Sequence, residues 1–300
     1  MAKFRNKPSY SVFAEFYDRI ADTMRGPNRR AREEILGPKM LGIQSACDLC
    51  CGTGTTALEL ARLLVGRKVG GQTPPPRTSR RAAANRICVY AVDASPRMLA
   101  VARSKFAAAR LPRGAIQAIH ADMRTFRLPE PVDLITCEFD AINHLVHKRD
   151  LESVARAVAR ALKPGGRFLF DANNTKAFKE LWVGSWVVEG RGFFMATRGG
   201  YDARRDKGWT VLDWFLPLTA SPSDVRSRIR PSSKATKSAG WRRFTERYEE
   251  VAWTENEICR ALRAAGLRVA GHWDLTHFSR REPWAKTGCR TYWLARKGRS

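Results

Sequence analysis

The sequence predicts an α/β protein built on a seven-stranded, mostly parallel sheet with helices on both faces. Short apolar runs alternate with helical patterns up to Asn174. Aromatic and β-branched runs then follow, and one more helix and two strands end the chain. An alternation of strand and helix places the strands side by side in a parallel sheet, and it places ligands at their carboxyl ends.

The first five strands and the helices between them are visible as separate segments. Strands are predicted at 45–50, 86–93, 116–122, 132–139 and 166–173, and helices at 53–65, 95–110 and 150–166. Ser95 and Pro96 are typical of a helix N-cap and first position, and the residues at 163–166 (KPGG) predict a helix stop and a turn.

After Asn174 the pattern predicts an antiparallel β cap, inserted after the fifth strand. A helix over 254–266 follows, with Thr254 and Glu257 forming a capping box and Gly266 after its end. The last two strands, at 267–275 and 289–297, are close enough in sequence to form an antiparallel pair at the edge of the sheet.

The formal charge of +25 is partly scattered over helices and partly concentrated in two loops, at 66–86 and 221–240. Both loops are rich in proline, glycine, serine and positive charge, so we expect them to be mobile. They are interpreted either as tolerated insertions or as contacts for nucleic acid or another acidic partner.

Composition excludes several classes of protein. At 300 residues and 44% hydrophobic, the chain is long enough to bury a full core. No apolar run approaches the roughly 18 to 20 residues of a membrane span, so we expect a cytoplasmic protein without a membrane partner. The seven cysteines lie mostly in apolar segments, which predicts reduced thiols and no metal site.

The ligand is predicted from the strand ends. Asp48, Asp93 and Asp122 each end one of the first three strands, and a glycine turn with Gly52 and Gly54 follows Asp48 directly. A dinucleotide would put its pyrophosphate at this turn, where a carboxylate would repel it. A cationic ligand without phosphate fits better, since a carboxylate attracts an ammonium group.

S-adenosylmethionine matches these demands part by part. Its ammonium would pair with Asp48, the glycine turn would allow close backbone approach, and Asp93 would bind both ribose hydroxyls. Asp122 and the backbone N–H of Met123 would bind the adenine amino edge. The apolar walls would come from 119–122 and from the segment between Ala94 and Met98.

Five segments in this order resemble the class I S-adenosylmethionine-dependent methyltransferases. They are DLCCGTG (48–54), VDASPRML (92–99), ADMR (121–124), DLITCEFDAINHL (133–145) and LKPGG (162–166), with RTYWLARK (290–297) similar to the family's last strand. The N-terminal YSVFAEFYDRIAD and the cap narrow the likeness to the amino-sugar and glycine N-methyltransferase type. Cys50 departs from the family's Gly or Ala and is a candidate cofactor contact.

The resemblance implies a Rossmann-like fold in which an N-terminal helical lid closes over the cofactor. Tyr10 and Tyr17 would lie on that lid, Tyr10 near the cofactor and Tyr17 on the catalytic side, unless both only pack. His144 follows the fourth strand and is the candidate general base. Glu138 would contact cofactor or acceptor, or be a surface charge. The implied regions are a lid (1–44), a core (45–174), a cap (175–253) and a C-terminal part of the core (254–300).

The leading hypothesis is therefore a methyltransferase acting on a nitrogen or oxygen of a small-molecule acceptor. One alternative is methylation of nucleic acid or protein, guided by the basic loops. A second is an NAD-dependent oxidoreductase, which Asp48 disfavours, and a third is a cofactor-binding module without catalysis. The sequence determines neither the acceptor nor the oligomeric state.

Overall fold

The computed structural model describes residues 10, 12–70, 89–218, 240–279 and 288–299, and it contains two sheets. Their strands are β1 (Ala46–Leu49), β2 (Val89–Asp93), β3 (Ile116–His120), β4 (Val132–Cys137), β5 (Leu162–Asn173), β6 (Gly184–Gly190), β7 (Phe193–Asp202), β8 (Lys207–Pro217), β9 (Trp241–Val251), β10 (Leu267–Asp274) and β11 (Arg290–Lys297). The larger sheet has the order β10-β11-β5-β4-β1-β2-β3, and the smaller has the order β6-β7-β8-β9.

Six α-helices accompany these strands in the described part of the chain. They are α1 (Phe13–Leu36), α2 (Thr55–Gly70), α3 (Pro96–Ala108), α4 (Lys148–Ala161), α5 (Thr175–Glu180) and α6 (Glu255–Ala264). Ser95 caps α3, and Thr254 and Glu257 form the predicted capping box of α6. Short 3₁₀ segments lie at Gly37–Gly42, Ala141–His144 and Leu275–His277.

The predicted fold class is confirmed. Strands β1 to β5 pair in parallel, whereas β11 lies antiparallel between β5 and β10. The antiparallel cap is inserted after β5. The division into four regions at 1–44, 45–174, 175–253 and 254–300 remains a prediction.

The predicted bounds differ most at the junction of α4 with β5, where the helix ends at Ala161, and at the end of α2. Strand β5 begins at Leu162, so the KPGG segment lies within the strand as an irregularity: Leu162 pairs with Val132, and the register resumes only at Leu134 and Arg167. A left-handed Gly165, with φ of 75°, accommodates the extra residues. Helix α2 continues to Gly70, because a single glycine at position 66 costs a helix only about 1 kcal/mol.

The larger sheet is buried on both faces, which explains the nearly continuous apolar strands. On one face, alternate residues such as Cys47 and Ile135 pack with α4 and α6. On the other, residues such as Ala46 and Leu134 pack with α1 and α2. The sheet's carboxyl edge therefore lies between two layers of helices.

Helix α1 joins the core to the cap. Phe16 packs on Trp214 and Phe193 of the cap sheet. The carboxylate of Glu246 on β9 accepts hydrogen bonds from the backbone N–H groups of Val12 and Phe13, at 3.2 and 3.3 Å, and from Trp214 Nε1 at 2.9 Å. No side chain of α1 accepts a hydrogen bond from the backbone of the helix's own first turn. Glu246 of the cap sheet supplies that acceptor instead.

Most of the two basic loops, at 71–86 and 221–239, lies outside the described residues. Among the helices of the described residues, none combines the length and the apolar character that crossing a membrane requires.

A Gly54→Ala substitution should destabilise the fold, because a Cβ atom at Gly54 would lie 2.5 Å from the Phe106 ring and because φ is +78° there. We expect the free energy of unfolding to fall by about 2–4 kcal/mol in urea denaturation. The matched control is Gly66→Ala, where a Cβ atom meets nothing within 4 Å. That change should stabilise by about 0.5–1 kcal/mol, and equal effects of the two substitutions would contradict this account.

Candidate functional site

The glycine turn after β1 is fixed by the end of β2. The backbone N–H of Gly52 donates to Asp93 Oδ2 at 2.8 Å, and that of Ser95 donates to Asp93 Oδ1 at 2.7 Å. Cys51 N–H donates to the carbonyl of Val92 at 2.9 Å. Asp93 thus holds the turn and the start of α3 in place, and burial raises the pKa of its carboxyl group.

The two glycines of the turn serve different purposes. A Cβ atom at Gly52 would lie 3.8 Å from the Tyr17 ring, so this backbone faces α1 and is open to close approach. Gly54 instead makes room for Phe106 of α3. Cys50 also has a positive φ, of 59°, a conformation that favours glycine.

Asp48 is buried before the turn with one oxygen satisfied. Its Oδ1 accepts a hydrogen bond from Thr136 Oγ1 at 2.9 Å, whereas among the described residues none bonds to Oδ2. Burial, together with the nearby Glu138 carboxylate, raises the pKa of Asp48 to about 7. A cationic group placed at Oδ2 would satisfy both the free oxygen and the buried charge.

Glu138 is not a surface charge, so that interpretation is wrong. Its carboxylate is 5% exposed and accepts two hydrogen bonds from Arg32 Nη1, at 2.8 and 2.6 Å. Arg32 lies on α1 and also pairs with Glu59 of α2. Sequence reasoning missed Arg32 because a single arginine in a charged helix carries no signal of burial.

The residues predicted for the adenine side lie at the ends of β2 and β3. The Asp122 carboxylate accepts hydrogen bonds from Arg124 Nε at 2.9 Å and from Arg124 Nη2 at 2.6 Å. Met98 is buried in the first turn of α3, Met123 packs against the core, and Ala94 is exposed. The predicted walls are thus close in the fold.

His144 lies in a closely packed aromatic cluster between the core and the cap. A hydrogen bond of 2.8 Å joins its Nε2 to the Tyr10 hydroxyl, and Glu250 Oε1 is 3.5 Å from the same nitrogen. The Tyr10 ring stacks on Tyr248 of β9, with centroids 5.4 Å apart. Burial lowers the pKa of His144, so its imidazole is neutral at pH 7.

Two cavities flank the glycine turn. The smaller, about 30 Å³, is lined by Tyr17, Asp48, Cys50 and Phe139 among others. The larger, about 420 Å³, lies along α1 and shares Phe139 and Glu138 with the smaller one. Burial raises the pKa of the Tyr17 hydroxyl, which is therefore un-ionised in the cavity that Tyr17 and Asp48 both line.

Charged contacts hold α1 over these cavities. The Asp18 carboxylate accepts from Thr53 Oγ1 at 2.6 Å and pairs with Lys105 Nζ at 2.5 Å and with Arg25. Lys105 belongs to α3, so Asp18 connects α1 with both the turn and the helix behind it. Within the described residues, no group of three or more His, Cys, Asp or Glu side chains is arranged to hold a metal ion.

Comparison with known proteins shows which fold this is. A family model described as a methyltransferase domain matches residues 75–166. An S-adenosylmethionine-dependent methyltransferase from Clostridium acetobutylicum superimposes with a TM-score of 0.66 at 22% identity, covering 96% of this chain and 99% of that one. The chain has the class I methyltransferase fold. A sugar N-methyltransferase from a Streptoalloteichus species shares the methyltransferase fold too, with a TM-score of 0.65 at 18% identity over 99% of this chain and 97% of that one.

Two curated methyltransferases are similar in sequence. The 2-phytyl-1,4-naphthoquinone methyltransferase of Nostoc punctiforme is 29% identical over 60% of this chain and 71% of its own length. The cypemycin N-terminal methyltransferase of a Streptomyces species is 24% identical over 86% of this chain and 85% of its own. The resemblance to class I methyltransferases is confirmed by these matches together with the fold.

Asp48→Asn should stabilise the protein in a pH-dependent way. The folded-state pKa of Asp48 is about 7 and its ordinary value is 3.8, so ionising it costs stability as pH rises between these values. We expect the variant's free energy of unfolding to exceed that of the wild type by up to about 4 kcal/mol at pH 8. Below pH 4 the two should coincide.

Asp133→Asn is the control of opposite sign for this measurement. Lys163 and two backbone N–H groups hold the pKa of Asp133 below its usual value. Its removal should therefore destabilise at pH 8, and the deficit should disappear as the pH falls through the lowered pKa. A stability gain for Asp48→Asn that is independent of pH would contradict the assignment of Asp48.

Proposed function

We propose that the chain is an S-adenosylmethionine-dependent methyltransferase that transfers a methyl group to a nitrogen or oxygen of a small-molecule acceptor. The observation that carries this proposal is the free Oδ2 of buried Asp48 beside the glycine turn. A carboxylate at that point fits an ammonium group and repels a pyrophosphate. The methyltransferase fold and the similarity to curated methyltransferases support the same function.

The residues at the strand ends fit the parts of this cofactor. Asp48 would bind the methionyl ammonium, and the backbone at Gly52 would approach it closely. Asp93 accepts one backbone hydrogen bond per oxygen, which leaves a lone pair on each for a ribose hydroxyl. When bound, the sulfonium of S-adenosylmethionine supplies an electrophilic methyl group.

His144 would act as the general base for the acceptor. Its neutral imidazole would take a proton from the acceptor nitrogen or oxygen, and this would free the acceptor's electron pair for the methyl group that the cofactor would supply. Tyr10 orients the imidazole through the 2.8 Å hydrogen bond. The un-ionised Tyr17 hydroxyl would be available to donate a hydrogen bond from the cavity that Tyr17 and Asp48 both line.

The alternatives receive no support from the comparisons. The basic loops that would guide nucleic acid or protein lie mostly outside the described residues. An NAD-dependent oxidoreductase would place phosphate beside Asp48 and Glu138, both buried carboxylates. A cytoplasmic location also remains a prediction from the sequence.

Calorimetric titration tests the cofactor. We expect S-adenosylmethionine and S-adenosylhomocysteine to bind the wild-type protein and NADH not to bind. Asp93→Ala should weaken both sulfur ligands at least about tenfold, since it removes the ribose acceptor and frees the Gly52 turn. Asp202→Ala is the control, because this half-buried cap aspartate also accepts hydrogen bonds from two backbone N–H groups but lies at the end of β7. Binding of NADH alone would refute the proposal.

His144→Ala tests the base. Methyl transfer from labelled S-adenosylmethionine, screened over small amines and alcohols, should fall on the order of 10²- to 10⁴-fold. The affinity for S-adenosylhomocysteine should not change, since the imidazole lies between the core and the cap, bonded to Tyr10. If turnover and affinity fell together, His144 would be structural instead.

A further inference from the structure

The cluster around His144 contains buried polar atoms that are not hydrogen-bonded. Within the residues that the structure describes, His144 Nδ1, Tyr248 Oη and Glu250 Oε2 have no partner. All three side chains lie where Tyr10, which precedes α1, meets the 3₁₀ segment after β4 and the inner face of β9. Buried polar groups are normally paired, so three such atoms together indicate the place of a polar ligand.

Glu250 is the charged member of this cluster. It is 3% exposed, and it lies two residues after Tyr248 on the same face of β9. Glu246 lies on that face as well, but it accepts three N–H hydrogen bonds and is satisfied. Among the described residues, His144 is the one basic group within ion-pair distance of Glu250, and that imidazole is neutral.

In the part of the chain that the structure describes, the arginine near Glu250 is already paired with other carboxylates. Arg290 pairs with Asp140 at 3.0 Å and with Asp171 at 3.3 Å, so its charge is shared by two other carboxylates. Burial, reinforced by the nearby Asp140 carboxylate, raises the pKa of Glu250 well above its usual value. A positively charged ligand group beside Glu250 would offset the free-energy cost of ionising this buried carboxyl.

The rings around Glu250 suit a cation too. Tyr10 and Tyr248 stack on each other, and both meet the His144 ring edge-on, with centroids 6.1 and 6.3 Å away. Aromatic faces attract ammonium groups, most strongly where water is excluded. A neutral hydroxyl would gain neither this attraction nor an ion pair.

We propose that Glu250 binds the ammonium group of the methyl acceptor, and that the acceptor is therefore an amine rather than an alcohol. This inference rests on the proposed function. The ammonium loses one proton to the neutral His144, and the resulting amine attacks the methyl carbon. The carbon–sulfur bond breaks with its electron pair going to sulfur, and the methylated ammonium remains paired with Glu250.

Binding to the protein loaded with S-adenosylhomocysteine tests this directly. The probes are two matched pairs, benzylamine with benzyl alcohol and cyclohexylamine with cyclohexanol. We expect the amines to bind at least tenfold more tightly than the alcohols. Glu250→Gln should remove that preference and leave the alcohols unchanged. Glu249→Gln is the control, because Glu249 neighbours Glu250 in sequence but lies on the other face of β9, where it meets Lys207.

Glu250→Met provides the same comparison with an apolar side chain, in case the amide disturbs folding. Equal binding of amines and alcohols, an unaltered preference in both Glu250 variants, or failure of every amine to bind would overturn the inference. Titration with S-adenosylhomocysteine comes first: if that ligand does not bind, the proposed function fails, whereas if it binds and the amines do not, only the role of Glu250 fails.

Discussion

An excess of buried carboxyl groups at the carboxyl edge of the sheet is the constraint on which this molecule depends. Asp48, Glu138, Asp171 and Glu250 are all at most 5% exposed, and Arg32 and Arg290 are the guanidinium groups that pair with Glu138 and Asp171. Burying unpaired charge is costly, and a protein can lower the cost by keeping a carboxyl protonated or by binding a cation. The sulfonium cofactor with its ammonium, and an acceptor amine, are cations of that kind. The unpaired buried carboxyl groups, which lower the stability of the protein alone, would thus strengthen the binding of cationic ligands.

Helix α1 makes this edge a closed site. Its first residues are held by Glu246 of the cap, Asp18 is bound to the glycine turn and α3, and Arg32 reaches Glu138 at the end of β4. These contacts come from three separate parts of the chain, so α1 contacts the cap, the glycine turn and the sheet edge at once.

Prediction succeeded where a signal is local. The parallel strands, the capping box at Thr254 and the aspartates at the strand ends follow from periodicity and spacing within a few residues. It failed at the KPGG segment, because a strand that begins inside an irregular glycine stretch has no periodic pattern. The sequence left two interpretations of Glu138, a surface charge or a site residue. Its burial depends on a partner, Arg32, that lies 106 residues away.

The sequence by itself determined the α/β architecture and the glycine turn, and it predicted a cationic ligand without phosphate, because these inferences depend on residues adjacent in the chain. Only the tertiary structure decided which charges share a site. Tyr10 before α1, His144 after β4 and Glu250 on β9 meet only in the folded protein, and the separation of Tyr10 from His144 is 134 residues. Side chains so distant in sequence leave no joint pattern. Their distances, their missing partners and the low dielectric around them exist only once the sheet edge is covered.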